Sequence, residues 1–231
     1  MKLWEDGLFD LDDDVSEALG FSLRSPHFPN KTISYRMLLS HTSSILEGSG
    51  YDAFISDTYT KDTIPTVEEL LTPTGKYYSA NIWSSREPGT YFTYSNVNFG
   101  LIGTLIEVLS GLRFDVYERL HVLAPLNISG SYNIHDISDI NKVAVIYRND
   151  IPQADNFKGV MPSQRNLSSY KIGTNGFIFG AQGGLRASLR ELSHILLLIQ
   201  SQGKWNGQRQ LHVETVRQMT AASWTNDGKN G

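Results

Sequence analysis

The chain has 231 residues, 40% of them hydrophobic and including eleven Tyr, ten Phe and four Trp, which is enough to bury one sizeable core and short for two full domains. The formal net charge is −4. Both signs are scattered along the chain, so there is no basic stripe on which phosphates could release counterions, and nucleic acid is not an expected partner. Cysteine is absent, which excludes disulfides and thiolate metal sites but leaves the compartment open.

Leu3, Trp4 and Leu8 read as the last turn of a helix closed by Gly7, and a helix of three turns would need residues ahead of Met1. Charges in Met1-Lys-Leu-Trp-Glu-Asp-Gly7 interrupt any signal-peptide core, and the longest apolar run, Ile195 to Ile199, is far below spanning length, so no membrane segment is expected. Asp12 to Asp14 offers an N-cap for Val15 to Leu19; as a calcium loop it lacks the Gly and the bidentate Glu. Thr32 is placed to cap a helix from Ile33 to Ser40, with His41 directly after it. Gly48 to Thr63 reads as polar and irregular, and Thr66-Val-Glu-Glu69 as a capping box opening a short helix through Leu71. Tyr77, Tyr78 and Trp83 follow in a loop, as cleft lining or as surface packing.

The stretch from Arg86 to Gly111 carries the strongest pattern: a Pro88-Gly89 turn, the triplet Tyr94-Ser95-Asn96, then Val97, Leu101, Ile102, Leu105, Ile106, Val108 and Leu109 at helical spacing. Ser95 or Asn96 supplies the N-cap and Gly111 the stop. A phenol and a carboxamide two residues apart, in a turn before a helix, can both point into one cleft. Beyond it, Asp115-Val-Tyr-Glu118 is placed to cap a helix running to about Leu123 and ended by Pro125. Ala144 to Tyr147 is the best strand candidate, Ile151 to Gly173 reads as a long loop, and Ser188-Leu-Arg-Glu191 as a capping box before the amphipathic helix Leu192 to Ile199. Val213 to Met219 reads as a last helix and Trp224 to Gly231 as a polar tail. Asn30, Asn127 and Asn166 begin glycosylation sequons, which matter only in a eukaryotic secretory pathway.

Pro88-Gly-Thr-x-Phe-x-Tyr-Ser-Asn-x-Asn-Phe-Gly-Leu-Ile-Gly103 resembles the second motif of the serine β-lactamase and penicillin-binding protein superfamily, especially its class C and esterase-like branch. Other segments agree in order: Leu3 to Asp12 resembles the end of the nucleophile helix, Leu38-Leu-Ser-His-Thr-Ser43 the Leu-Leu-x-His-Thr-Ser-Gly signature, and Gln182-Gly-Gly-Leu-Arg-Ala-Ser188 the later Gly-Gly-Leu-x-Ser segment. The chain has Ser44 where that signature has Gly. The resemblance implies an α+β fold of which this chain is the mostly helical middle portion, with most of the antiparallel sheet missing. On that reading residues 1–231 form one partial domain: 1–20 the end of the nucleophile-helix region, 21–220 a helical subdomain, 221–231 a tail.

Acyl transfer in this superfamily uses a Ser-x-x-Lys serine at a helix start, a Tyr-x-Asn second and a Lys-Thr-Gly or His-Thr-Gly strand third. By resemblance Tyr94 assists as base or proton relay and protonates the leaving group, while Asn96 holds the lysine and the substrate amide. The alternative for both is simple bonding of the turn backbone. Gln182, by resemblance beside the cleft, is a substrate contact or only a lead-in to the next helix. Ser168-Ser-Tyr-Lys171 and Ser201-Gln-Gly-Lys204 match the first motif by letters, but both follow Tyr94. Lys171-Ile-Gly173 and Lys229-Asn-Gly231 match the third motif outside any apolar strand pattern. The first and third motifs are therefore expected to be absent from this chain. His41 reads as a structural hydrogen-bonding residue, since no Gly-x-Ser-x-Gly turn accompanies it. Two classes remain: a serine hydrolase of amide, ester or β-lactam bonds with a small-molecule or peptide substrate, no cofactor and no metal, or a non-catalytic binding or scaffold homologue.

Overall fold

Helix α6, Asn96–Ser110, is the longest in the molecule, and its ends follow from local chemistry. Ser95 is extended and its side chain accepts the Val97 N–H at 3.2 Å; Gly111 turns left-handed at φ 69° and donates back to Glu107 O at 2.9 Å. Val97, Leu101 and Leu105 are completely or almost completely buried, each stabilising by about 1.5–3 kcal/mol through removal from water. They meet Val15, Leu23, Ile33, Leu38, Phe54, Leu70 and Phe177 in the main core. The computed structural model describes residues 1–153 and 156–225.

Shorter helices surround α6: α1 (Lys2–Glu5), α2 (Val15–Leu19), α3 (Tyr35–Leu39), α4 (Tyr51–Thr60), α5 (Val67–Leu71), α7 (Phe114–Glu118), α8 (Leu189–Gln200) and α9 (Val213–Thr220). The expected caps form at Asp14, which accepts Ser16 N–H at 3.0 Å, and in complete capping boxes at Thr66/Glu69 and Ser188/Glu191. A second apolar cluster joins Leu123, Leu126 and Ile128 to Leu198 of α8. Among the described residues the strands form two antiparallel hairpins, β1 (Tyr147–Arg148) with β2 (Ile151–Pro152) and β3 (Lys204–Trp205) with β4 (Gln208–Arg209). Their two-residue turns, Asn149-Asp150 and Asn206-Gly207, have positive φ at both positions, which matches the right-handed twist of the strands they join.

Four expectations change. The cap of α3 is Ser34, whose side chain accepts Met37 N–H at 3.3 Å, and not Thr32. Residues 51–60 are the helix α4 and not irregular chain, because Tyr51, Phe54 and Thr58 lie on one face and bury it. Asp115 lies inside α7 and is held by Arg113 at 2.6 Å and Asn133 at 2.9 Å; the chain after α7 stays helical to Leu126, and Pro125 sits within its last tight turn. The strand foreseen at Ala144 to Tyr147 begins only at Tyr147. Lys229-Asn-Gly231 and the end of the expected 221–231 tail lie outside the described residues.

Residues 176–179 press against α6 where glycines remove the Cβ. A Cβ on Gly100 would stand 1.9 Å from the Phe177 ring, and one on Gly176 would stand 2.1 Å from Thr104 N. Thr104 Oγ1 accepts the Gly176 N–H at 2.8 Å across this contact. The buried Glu107 carboxylate accepts the Phe114 N–H at 2.9 Å, the Gly173 N–H at 2.8 Å and the Tyr170 hydroxyl, so it ties α7 and residues 170–173 to the same helix. Burial pushes its carboxyl above the usual range. Gly100→Ala is expected to cost about 1–3 kcal/mol, read as a lowered urea midpoint. Gly183→Ala, with nothing within 4 Å of its Cβ, serves as the control and shifts stability by no more than about 0.5 kcal/mol.

Candidate active site

Two segments meet at the start of α6. The chain leaving α3 runs beside residues 89–96, held by Gly89 N–H to Thr42 O at 2.7 Å and Thr93 N–H to His41 O at 2.9 Å. His41 and Ser44 both take positive φ, at 55° and 69°. The second is the position where the resembled signature has Gly, and there the Ser44 hydroxyl offsets the strain by donating to Arg86 O at 2.6 Å.

His41 Nδ1 faces two donors, Ser95 N–H at 3.3 Å and Asn98 Nδ2 at 3.2 Å. It is therefore the acceptor nitrogen, and the proton of the neutral ring is assigned to Nε2. Asn98 is buried and completes its bonding by accepting the Ser43 hydroxyl at 2.6 Å. The histidine thus braces the turn, as its sequence context suggests, and its ring packs 4.6 Å from the Tyr94 ring centroid and 5.2 Å from that of Phe99. Burial holds its pKa below the usual value.

Above this buried bed the two candidate side chains emerge together. Tyr94 is 60% exposed, and its hydroxyl donates to Asn96 Oδ1 at 3.2 Å. Asn96 donates both its backbone N–H, at 3.2 Å, and Nδ2, at 2.7 Å, to one oxygen of Glu47. Glu47 is the member that sequence reasoning missed; it stands 49 positions before Asn96, and only folding brings it to the site. Burial, and after it the negative charge of Glu47, raises the Tyr51 phenol above its usual value.

Gln182 bonds to a different residue. Its Nε2 donates to Tyr59 Oη at 3.3 Å, and its Oε1 is buried with no partner among the described residues. No hydrogen bond among the described residues joins it to Tyr94 or Asn96. A cavity of about 350 Å³ lies beside Tyr59, lined also by Arg113, Tyr132, Phe157, Phe179 and Arg186, but not by Tyr94, Asn96 or Gln182. Among the described residues no cluster of three or more His, Asp or Glu side chains could hold a metal ion, and no single helix is long and apolar enough to cross a membrane.

The mostly helical layer that carries this pair is shared with solved structures. The octameric penicillin-binding protein homologue from Pyrococcus abyssi superposes with a TM-score of 0.63 at 20% identity, over 96% of this chain and 45% of that one. A D-stereospecific amidohydrolase from Streptomyces sp. gives 0.54 at 21% identity, over 95% and 60%. At such identities the likeness concerns the fold, which is that of the β-lactamases and transpeptidases. In sequence, the chain is 26% identical over 129 residues to Protein flp of Staphylococcus aureus (strain MRSA252), covering 56% of this chain and 24% of flp. The family model described as Beta-lactamase matches residues 1–231, and the chain belongs to that family. It spans about a quarter of the curated relative's length and about half that of the Pyrococcus structure.

The depressed pKa of His41 sets a pH dependence. The unfolded imidazole takes up a proton near its ordinary 6.5 while the folded one resists, so stability falls as pH drops below that value. His41→Asn keeps an acceptor near the Nδ1 position. In urea titrations at pH 7.5 and 5.5, the wild type is expected to lose more stability on acidification than the variant.

Proposed function

We propose that the chain is the helical portion of a serine acyl hydrolase acting on amide, ester or β-lactam bonds of small-molecule or peptide substrates. Its Ser-x-x-Lys and Lys/His-x-Gly motifs are then supplied from outside residues 1–231. The observation that carries this reading is the Tyr94 hydroxyl, exposed yet held against the Asn96 carboxamide at the start of α6. The two letter matches to Ser-x-x-Lys support an external nucleophile. Ser168 to Lys171 lies in a turn and irregular chain, and Ser201 to Gly203 in a turn that leads into Lys204 of β3, so neither puts hydroxyl and ammonium on one helical face.

In this reading Tyr94 takes the proton of the attacking serine and returns it to the leaving group, Asn96 orients the lysine and the substrate amide, and Gln182 contacts substrate. The amidohydrolase among the fold's relatives is in keeping with amide substrates.

The test is Tyr94→Phe in the full-length protein. A proton relay acts in the transition state, so kcat is expected to fall by about 10²–10⁴ with KM little changed. The melting temperature should hold, because the ring and its packing on His41 remain. A lowered melting temperature with kcat intact would mean that Tyr94 only stabilises the turn, and would leave the non-catalytic binding protein as the surviving reading.

A further inference from the structure

Glu47 is half-buried at the start of α6, and one of its oxygens, Oε1, accepts both Asn96 donors. The other oxygen, Oε2, has no donor among the described residues, and it is not sealed from solvent. Nor does any ion pair among the described residues engage Glu47. A carboxylate offers about four acceptor positions. Two are used, both on Oε1, to fix its orientation, and those of Oε2 stay open to solvent. The path through the Asn96 carboxamide puts the Glu47 carboxylate within about 8 Å of the Tyr94 hydroxyl. That span suits a substrate amine one to a few bonds from the carbonyl under attack.

We propose that Glu47 is the subsite for a substrate ammonium group, so that the site selects acyl compounds bearing a free amine over their N-acylated or acidic counterparts. The position of the reacting carbonyl rests on the acyl-hydrolase reading above; the recognition of the cation does not. An oriented, unpaired carboxylate forms charge-assisted hydrogen bonds with an ammonium group and repels a carboxylate placed in the same spot. The helix start alone would be served as well by a neutral acceptor, and Glu47→Gln separates the two roles because it keeps an oxygen for the Asn96 N–H and removes the charge.

The experiment titrates the full-length protein and its Glu47→Gln variant, at pH 7, with alaninamide and N-acetylalaninamide in both enantiomers, reading binding by calorimetry and turnover by ammonia release. Wild type is expected to bind alaninamide at least about tenfold more tightly than the acetylated probe. Glu47→Gln should abolish that preference while leaving affinity for the acetylated probe and the melting temperature unchanged. Equal affinities in wild type, no binding of either probe, or equal loss for both probes in the variant would overturn the ammonium subsite. Selective binding without ammonia release would sink the amide-hydrolase form of that reading and leave the subsite standing. Turnover of both probes with equal kcat/KM would sink the subsite and leave the hydrolase.

Discussion

The contact between α6 and residues 176–179 is the constraint on which the rest of the molecule depends. Gly100, Gly103 and Gly176 let two backbones approach more closely than any side chain permits, and Phe177 fills the space that opens between them. Phe177 in turn packs edge-on against Phe54 and Tyr51 of α4. Through that ring the position of α4, and with it Tyr59 and the loop bearing Glu47, is referred to the same helix that carries Asn96. Interiors packed this densely transmit small displacements, so the geometry at the start of α6 is set partly by residues eighty positions away.

The polar groups buried with α6 do a second job. Glu107, Asn98 and Thr104 are almost completely removed from water and each is bonded to another segment: Glu107 to the Phe114 and Gly173 amides, Asn98 to Ser43 and His41, Thr104 to the Gly176 amide. Buried polar groups cost free energy unless satisfied, and satisfied ones specify a single arrangement more sharply than apolar contacts do. Along α6 they pin the loops at three heights. At the first of these, the His41–Asn98 bed leaves Tyr94 and Asn96 as the side chains that rise toward solvent.

The Glu47–Asn96 contact gives the site its electrostatic character. Glu47 sits where the unpaired amides of a helix start favour negative charge, which accounts for a carboxylate persisting beside a second polar side chain without a cationic partner among the described residues. An acid held in this way at the mouth of a candidate catalytic turn brings charge selection to a site that otherwise offers a phenol and a carboxamide.

Much of this was legible in the sequence, because the signals were local. Asp14, Thr66, Ser95 and Ser188 read as helix caps, since a cap and its target amide lie within three residues. Gly111 read as a stop, and Val97, Leu101 and Leu105 as a buried face, because helical periodicity is written in residue spacing. The family could be read for a similar reason: Tyr94-Ser-Asn96 and Leu38-Leu-Ser-His-Thr-Ser43 are contiguous strings. Even some misses had signals, in the two-residue turns Asn149-Asp150 and Asn206-Gly207 and in the Tyr51, Phe54, Thr58 spacing of α4. What no local pattern carried was the meeting of Glu47 with Asn96, of His41 with Ser95 and Asn98, and of Phe177 with Gly100. These pairs are separated by roughly fifty to eighty residues, and hydrogen-bond geometry and van der Waals contact are fixed only once the intervening chain has packed. The sequence therefore determined most of the helices, several of their ends and the family, whereas the helix α4, the charge beside the candidate site and the tautomer beneath it were decided by tertiary structure.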